Sequence, residues 1–329
     1  METLKPRALK EEARRRLADA PSDPRRLILL NTGVVVVLAL IVNTLNFLLS
    51  HQINSTGGLG GLGMRSALQT VQTILSYLVT IFGPFWAAGL LLCFVKVVRG
   101  EECAPATMLE GFKRFSRVLG FFLLQSLTMA LLVMPVAYLS SMIYAFTPFA
   151  ATFMDSLQGL IDSGALISAS GAVDLTVIPP QVLMQGVLPL SIIMLIIAVP
   201  LFLWLGYSLH LGSYLIMTDR VRSCFQAFGL SFRLMRGNRR HLLKLDLSYW
   251  WFYVLEGLIM GILWFDAIAE IAHLALPVSP TVLYFIVLVL YCVCEMALHL
   301  WKKAEHDTAF VLAYERIARP EPEVPEIVG

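Results

Sequence analysis

The sequence predicts an all-α, polytopic membrane helix bundle with about six transmembrane helices and two interfacial helices on the cytoplasmic side. Three observations predict it. Of the 329 residues, 57% are apolar and only 15% charged, and the mean hydropathy is +0.74, too apolar for a soluble core with its polar surface. The apolar residues also form runs long enough to cross a bilayer, which takes about 20 helical residues. When those runs are threaded alternately, 24 of the 25 Lys and Arg residues fall on one side and only Arg65 on the other. Basic flanks resist translocation, so the basic side is expected to be cytoplasmic.

Residues Ala8 to Ala20 (ALKEEARRRLADA) are helix formers with a mixed-charge face, and the PSDP that follows ends that helix before the first span. The predicted spans are Leu27 to Ser50, Ala67 to Val98, Val118 to Phe146, Gln181 to Met217, Leu245 to Trp264 and Thr281 to Trp301. Gly83-Pro84, Pro135, Pro189 and Pro200 fall inside spans, so these helices are expected to kink or tilt and to pack as a bundle. The first outer loop is Gly-rich (GGLGGLG) and reads as flexible; the outer loop Thr147 to Pro180 holds a short amphipathic helix over Phe149 to Asp162 and then a flexible half.

The four basic segments carry eight, five, seven and four Lys or Arg; the opposing loops carry one, none and none. Six crossings then leave both termini in the cytoplasm. The resulting division is 1–26 for the cytoplasmic N-terminal helix, 27–302 for the six-span domain and 303–329 for a cytoplasmic tail. The first apolar run has no small-residue cleavage site after it and reads as a retained anchor. Cys93, Cys103, Cys224, Cys292 and Cys294 all fall in the membrane or on the cytoplasmic side, where disulfides are disfavoured, and read as free thiols.

Arg222 to Arg236 (RSCFQAFGLSFRLMR) places Phe225, Phe228, Phe232 and Met235 on one helical face and Arg222, Gln226 and Arg233 opposite. It reads as a helix lying in the membrane interface. A weaker version lies 120 residues earlier, with Met108, Phe112 and Phe115 matching Phe228, Phe232 and Met235. Either a parallel duplication, over about 67–147 and 187–267, or two connectors under the same physical demand accounts for it. Phe225, Phe228, Phe232, Arg233, Arg236, Arg239 and Arg240 are the expected lipid-headgroup contacts, and Gly237-Asn238 suits a helix stop in the left-handed region.

The stretch SFRLMRGNRRHLLKLDLSYWW, through Ser231, Leu234, Met235, Gly237, Asn238, Leu245, Leu247, Ser248, Trp250 and Trp251, resembles a bacterial family of multi-pass membrane proteins classed as a domain of unknown function, number 975. The resemblance runs from the N-terminal helix to the C-terminal span, and Leu-Met-x-Gly-Asn is its most specific part. It implies a bacterial integral membrane protein and brings no catalytic residues with it.

Glu256 stands out, eleven residues into the fifth span, where an ionised carboxylate is expensive. With Glu295 on the sixth span, and His299 one turn beyond, it forms either a proton or cation relay or a neutral, hydrogen-bonded structural acid. Asn43 and Asn46 share a face of the first span and suit interhelical hydrogen bonds. Asp266 and Glu270 lack a third ligand for a cation. Gly58, Gly60 and Gly63 match a dinucleotide-type glycine spacing with no strand before them, a chance match. His299, Glu305 and His306 have no familiar metal spacing and read as solvated tail residues, so no metal and no cofactor are expected.

The basic residues are spread over four segments and form no nucleic-acid stripe, so nucleic acid is excluded and the lipid bilayer is the expected partner, with a membrane-protein partner or a second copy beside it. The leading expectation is a non-enzymatic envelope or membrane-assembly component of a bacterial cytoplasmic membrane. The alternative is a small permease or proton-coupled transporter using Glu256 and Glu295. No nucleophile, base and orienting group come together at a recognisable spacing, so an enzyme is not expected.

Overall fold

Proline and glycine positions set most helix boundaries in the computed structural model, which describes residues 5–55, 61–163, 179–262 and 279–318. Pro6 opens α1 (Pro6–Ala18). Pro24 opens α2 (Pro24–Ser55), and Asp23 accepts a hydrogen bond from the Arg25 backbone N–H at 3.0 Å at its entry. Helix α3 (Gly61–Arg99) runs through Pro84. A 3₁₀ turn (Pro105–Leu109) and the single-turn α4 (Glu110–Lys113) lead into α5 (Phe115–Ala145) and α6 (Pro148–Asp162). Then follow α7 (Pro180–Leu209), α8 (Gly212–Met217), α9 (Cys224–Met235), α10 (Arg239–Leu247) and α11 (Trp250–Ile262). Helix α12 (Pro280–Leu298) passes through a π turn (His299–Lys303) into α13 (Ala304–Ile317). The all-α class is as predicted, with no strand among the described residues.

Five helical stretches are long and apolar enough to cross a membrane, and α11 is a shorter apolar helix. Their outer surfaces carry large apolar side chains such as Leu131, Met134 and Tyr138 on α5 and Leu195 and Ile196 on α7, all more than half exposed. In water such surface would be an aggregation liability; against lipid it is the ordinary outside of a span. The chain is an integral membrane protein. Gly58, Gly60, Asp266, Glu270 and the second half of the outer loop lie outside the described residues.

Two compact units divide the chain, Met1–Phe122 with His210–Gly329, and Leu123–Leu209. In the second, α6 packs on α7, with the Phe153 ring so close to Gly186 that a Cβ there would lie 2.7 Å from it. The first unit holds most of the core, much of it at the ends of the long apolar helices. Helix α3 has 39 residues, about 58 Å at 1.5 Å per residue, against a hydrocarbon thickness of about 30 Å. Its last turns, including Phe85, Cys93, Phe94, Val95 and Val97, are buried nearly all round. They form a basal layer with α1, α8, α10 and α13.

Helix α13 corrects the reading of 303–329 as a tail. Residues Thr308 to Tyr314 are all buried, in contact with α1 and α3. Leu9 and Ala13 of α1 seal against this layer. Glu12 accepts from Arg316, Glu305 accepts from Arg14 at 3.1 Å, and Lys10 donates to the Ser248 carbonyl at 2.6 Å with its ammonium 3.8 Å above the Tyr249 ring. Because α1 and α13 touch, the two terminal helices lie together within this unit.

The first predicted interfacial segment differs from a continuous amphipathic helix. Phe112 and Phe115 stack on Phe85, with centroids 5.3 and 4.8 Å apart, and Met108 is fully buried. A Cβ on Gly89 would lie 1.8 Å from the Met108 carbonyl oxygen, and one on Gly111 2.0 Å from that of Phe85. Two glycines therefore let the segment lie backbone to backbone on α3, and its aromatic face stacks on Phe85 while leaving Phe115 about half exposed.

Helices α3 and α8 end alike. The Glu101 N–H bonds the Lys96 carbonyl, the Arg220 N–H bonds that of Leu215, and the residue before each donor, Gly100 or Asp219, has φ of +74° or +52°. This is a Schellman closure, which favours glycine at the left-handed position. Asp219 holds that strained position while accepting from Arg114 at 2.5 Å and Arg117 at 3.0 Å. The Arg114 hydrogen bond, followed by the Arg117 pair, keeps its carboxyl below the usual range. A depressed carboxyl stabilises the fold above its unfolded pKa, and the contribution is lost as pH falls through the folded one. Asp219→Asn keeps the tolerated backbone but not the charge. It should cost up to about 1 kcal/mol at neutral pH, since the side chain is more than half exposed. In thermal melts the gap to wild type should close below about pH 3.9; a gap that persists in acid would assign the effect to shape instead.

Candidate functional site

Glu256, Glu295 and His299 converge where α11 meets the end of α12. Their ligand-capable atoms all lie within 4.8 Å of one another. His299 Nε2 is 3.2 Å from Glu295 Oε1 and 3.9 Å from Glu256 Oε1. Glu295 and His299 are each only 8% exposed, whereas the Glu256 side chain is 38% exposed and gives the cluster its open edge. Glu295 Oε2 is buried without a hydrogen-bond partner, and buried His299 Nε2 has only its ion-pair contacts with the two carboxylates. Leaving such groups unmatched costs roughly 1–3 kcal/mol each, and more for charged ones, so the arrangement is not what packing alone selects.

Local sequence explains how each group gets there. Glu295 and His299 are four apart and share one face of α12. The π turn starts at His299, and such turns, rare in helices, occur frequently at functional sites. Beyond it Trp301 stacks near Trp251, centroids 5.2 Å apart, and the Lys302 ammonium lies 5.7 and 6.0 Å from the Trp301 and Trp251 rings. This aromatic and basic belt suits a membrane–water boundary. From α2, Thr32, itself 1% exposed, reaches His299 Nδ1 at 3.2 Å. Its neighbour Asn31 accepts from Trp86 Nε1 at 2.8 Å, tying α2 to α3.

The structure moves Glu256 outward from its sequence-based depth. Leu245 belongs to α10, where it is buried with Leu242, and a break at Ser248–Tyr249 separates that helix from α11. Counted from Trp250, Glu256 is six residues into its helix, about 9 Å along the axis. The described part of this predicted span ends at Ile262.

Other sequence candidates resolve differently. His299 and Glu305 are buried, not solvated. Glu305 binds Arg14 and Lys302, the latter at 2.9 Å. His306 faces Asp307 Oδ1 at 2.9 Å through Nδ1 and the Tyr253 hydroxyl at 2.8 Å through Nε2. Tyr253 donates its own hydrogen to Asp246 Oδ1 at 2.5 Å, so both ring nitrogens of His306 act as donors and the ring is cationic. Phe252 stacks between this group and the site, its ring 5.7 Å from His306 and 6.3 Å from His299. Among the described residues Asn43 makes no interhelical side-chain bond of the predicted kind. Its amide donates to the Ala39 carbonyl of its own helix, while Tyr284 of α12 donates to the Asn43 carbonyl at 3.0 Å. The Asn46 side chain lies outside the described residues. Among the described residues the cysteines are free thiols, and the hydrogen bond from Cys93 lowers the Cys103 thiol pKa to about 7 against the opposing effect of burial.

On α9 the buried stripe is Ala227, Ser231 and Met235, and the helix packs on α8. The phenylalanine stripe flanks it. Phe225 is 72% exposed, Phe228 and Phe232 are half-buried with rings 5.6 Å apart, and Arg239 sits 5.6 Å from the Phe232 ring. Arg233, Arg236 and Arg240 are exposed. The Leu-Met-x-Gly-Asn run closes α9 by a type II turn rather than a left-handed helix cap. Arg236 has φ −63° and ψ 116°, Gly237 has φ +90°, and the Asn238 N–H bonds the Met235 carbonyl at 3.1 Å. The Asn238 amide also donates to the Leu234 carbonyl at 2.9 Å.

Residues 7–274 match a family described as Protein of unknown function (DUF975). The chain belongs to this family. The match stops before α12, so Glu256 lies inside it and Glu295 and His299 outside. No curated protein and no solved structure matches the chain.

Proposed function

We propose that this DUF975 member is a small, non-enzymatic permease of a bacterial cytoplasmic membrane that binds a cation, the proton included, at Glu256, Glu295 and His299. One observation carries the reading. Two carboxylates and an imidazole, expensive to bury singly, are brought together from separate helices with buried atoms left free to bind. The distribution of Lys and Arg supports cytoplasmic termini. In proteoliposomes containing a cation-sensitive dye, wild type should conduct, and Glu256→Gln should abolish the flux while melting as wild type does. No flux with any cation, or an unchanged flux in the variant, removes the permease reading.

A second reading, a membrane-assembly component contacting anionic lipid or a partner protein, is favoured by Phe225, which is exposed on α9 beside arginines. Phe225→Asp touches no core. It should lower recovery in the membrane-bound complex or lipid-dependent stability if α9 is the contact, and leave both unchanged if α9 is idle.

A further inference from the structure

We infer that the site takes a divalent first-row transition cation, with Glu256, Glu295 and His299 Nε2 as ligands and Thr32 as the positioning residue for the imidazole. The inference rests on the cation-site reading above and narrows it to one class.

Charge balance is the first argument. When both carboxylates are ionised they place two negative charges beside a low-dielectric span, and a dication neutralises both where a monovalent ion leaves one uncompensated. Donor chemistry is the second. Carboxylates alone suit Mg²⁺ or Ca²⁺, but an imidazole nitrogen among them favours borderline ions such as Zn²⁺, Co²⁺, Fe²⁺ or Mn²⁺.

Spacing agrees with both. Ligands at about 2.0–2.2 Å from one ion sit roughly 3–4 Å apart, and His299 Nε2 lies 3.2 and 3.9 Å from the two carboxylates. Glu256 is the half-exposed member, so it has room to close the remaining gap and a route by which an ion enters. Glu295 Oε2 and His299 Nε2, which no hydrogen bond engages, belong to residues that are each only 8% exposed.

Thr32 completes the second layer. With its oxygen 3.2 Å from Nδ1, it is placed to accept the Nδ1 hydrogen once a metal takes the Nε2 lone pair, the arrangement that metal-bound histidines commonly have. The Phe252 ring stacks on the imidazole with centroids 6.3 Å apart.

The test is binding of ZnCl₂, and of CoCl₂ as a spectroscopic probe, to the full chain purified in detergent and stripped by chelator. One ion per chain is expected, with imidazole-containing coordination in the Co²⁺ spectrum and a rise in thermal midpoint on adding Zn²⁺. His299→Gln and Glu295→Gln should abolish this binding, and Thr32→Val should weaken it roughly 10–100-fold while keeping the apo melting point. The Thr32 variant and the wild-type Zn²⁺ shift keep the test decisive if the ligand variants do not fold. Absence of binding, or binding that Glu295→Gln, His299→Gln and Thr32→Val all leave intact, overturns the inference. Stoichiometric binding without flux upholds this inference and removes the permease reading; flux of a monovalent cation with no Zn²⁺ or Co²⁺ binding does the reverse.

Discussion

Gly89→Val should leave the protein largely unable to accumulate in folded form. A Cβ at residue 89 would lie 1.8 Å from the Met108 carbonyl oxygen and 2.6 Å from its carbon. Both are backbone atoms, so no side chain can swing away. Relief requires moving the 3₁₀ turn off α3, which also separates the ring stacks of Phe85 on Phe112 and Phe115. Overpacking typically costs 1–3 kcal/mol when side chains yield, so about 3 kcal/mol or more is expected here, a large share of a total near 5–15 kcal/mol. Gly89→Ala should show a milder loss of the same sign. Gly83→Ala, six residues earlier with nothing within 4 Å, should be neutral or stabilising, because alanine lowers the helix entropy cost by about 0.5–1 kcal/mol. Thermal midpoints in detergent, read by monodisperse peak height, separate these cases. Equal midpoints for Gly89→Ala and Gly83→Ala would show that the close approach does not exist.

Hydropathy made the spans legible because length and polarity decide them. Helices α2, α3, α5 and α7 start or end within a few residues of the runs that predict them, and Thr147 and Pro148 mark the start of α6 as the loop chemistry suggests. The basal layer was not legible for the same reason. TAFVLAY, Thr308 to Tyr314, is too short to cross a membrane, yet a short run is enough for a helix enclosed by α1 and α3. Nor does any proline or glycine mark the break between α10 and α11, where apolar residues continue on both sides of Ser248.

The site was half legible. Glu295 and His299 at helical spacing can be read from the chain, and Glu256 is conspicuous in its apolar run. That α11 places Glu256 beside them, and α2 brings Thr32 to the imidazole, are tertiary facts with no sequence signal. Gly89 and Gly111 are likewise unremarkable in sequence, since only the path of the backbone makes them necessary. The exposed arginines of α9 could be read in advance, but its buried stripe of Ala227, Ser231 and Met235 could not be told from the phenylalanine face until α8 was in place.

Glu305→Ala should release α1 from the basal layer. The carboxylate is 11% exposed and accepts from Arg14 at 3.1 Å and Lys302 at 2.9 Å, joining the N-terminal helix to the π turn beside the site. Removing one member of a buried pair costs about 3–5 kcal/mol when its partner stays buried. Here Arg14 is 60% exposed and recovers solvation, whereas Lys302 is 20% exposed, so about 2–3 kcal/mol is expected after discounting the Arg14 arm. Glu305→Gln, which preserves shape and one acceptor, should lose about half as much. Arg14→Ala with Glu305→Ala should cost less than the two separate losses added together, because the pair is coupled. Limited proteolysis after Arg15 or Arg16 reads the outcome directly: cleavage should accelerate in Glu305→Ala, while the Glu12–Arg316 contact still holds the middle of α1. A variant cut no faster than wild type and melting with it would mean that the buried faces of Leu9 and Ala13 alone hold the helix in place.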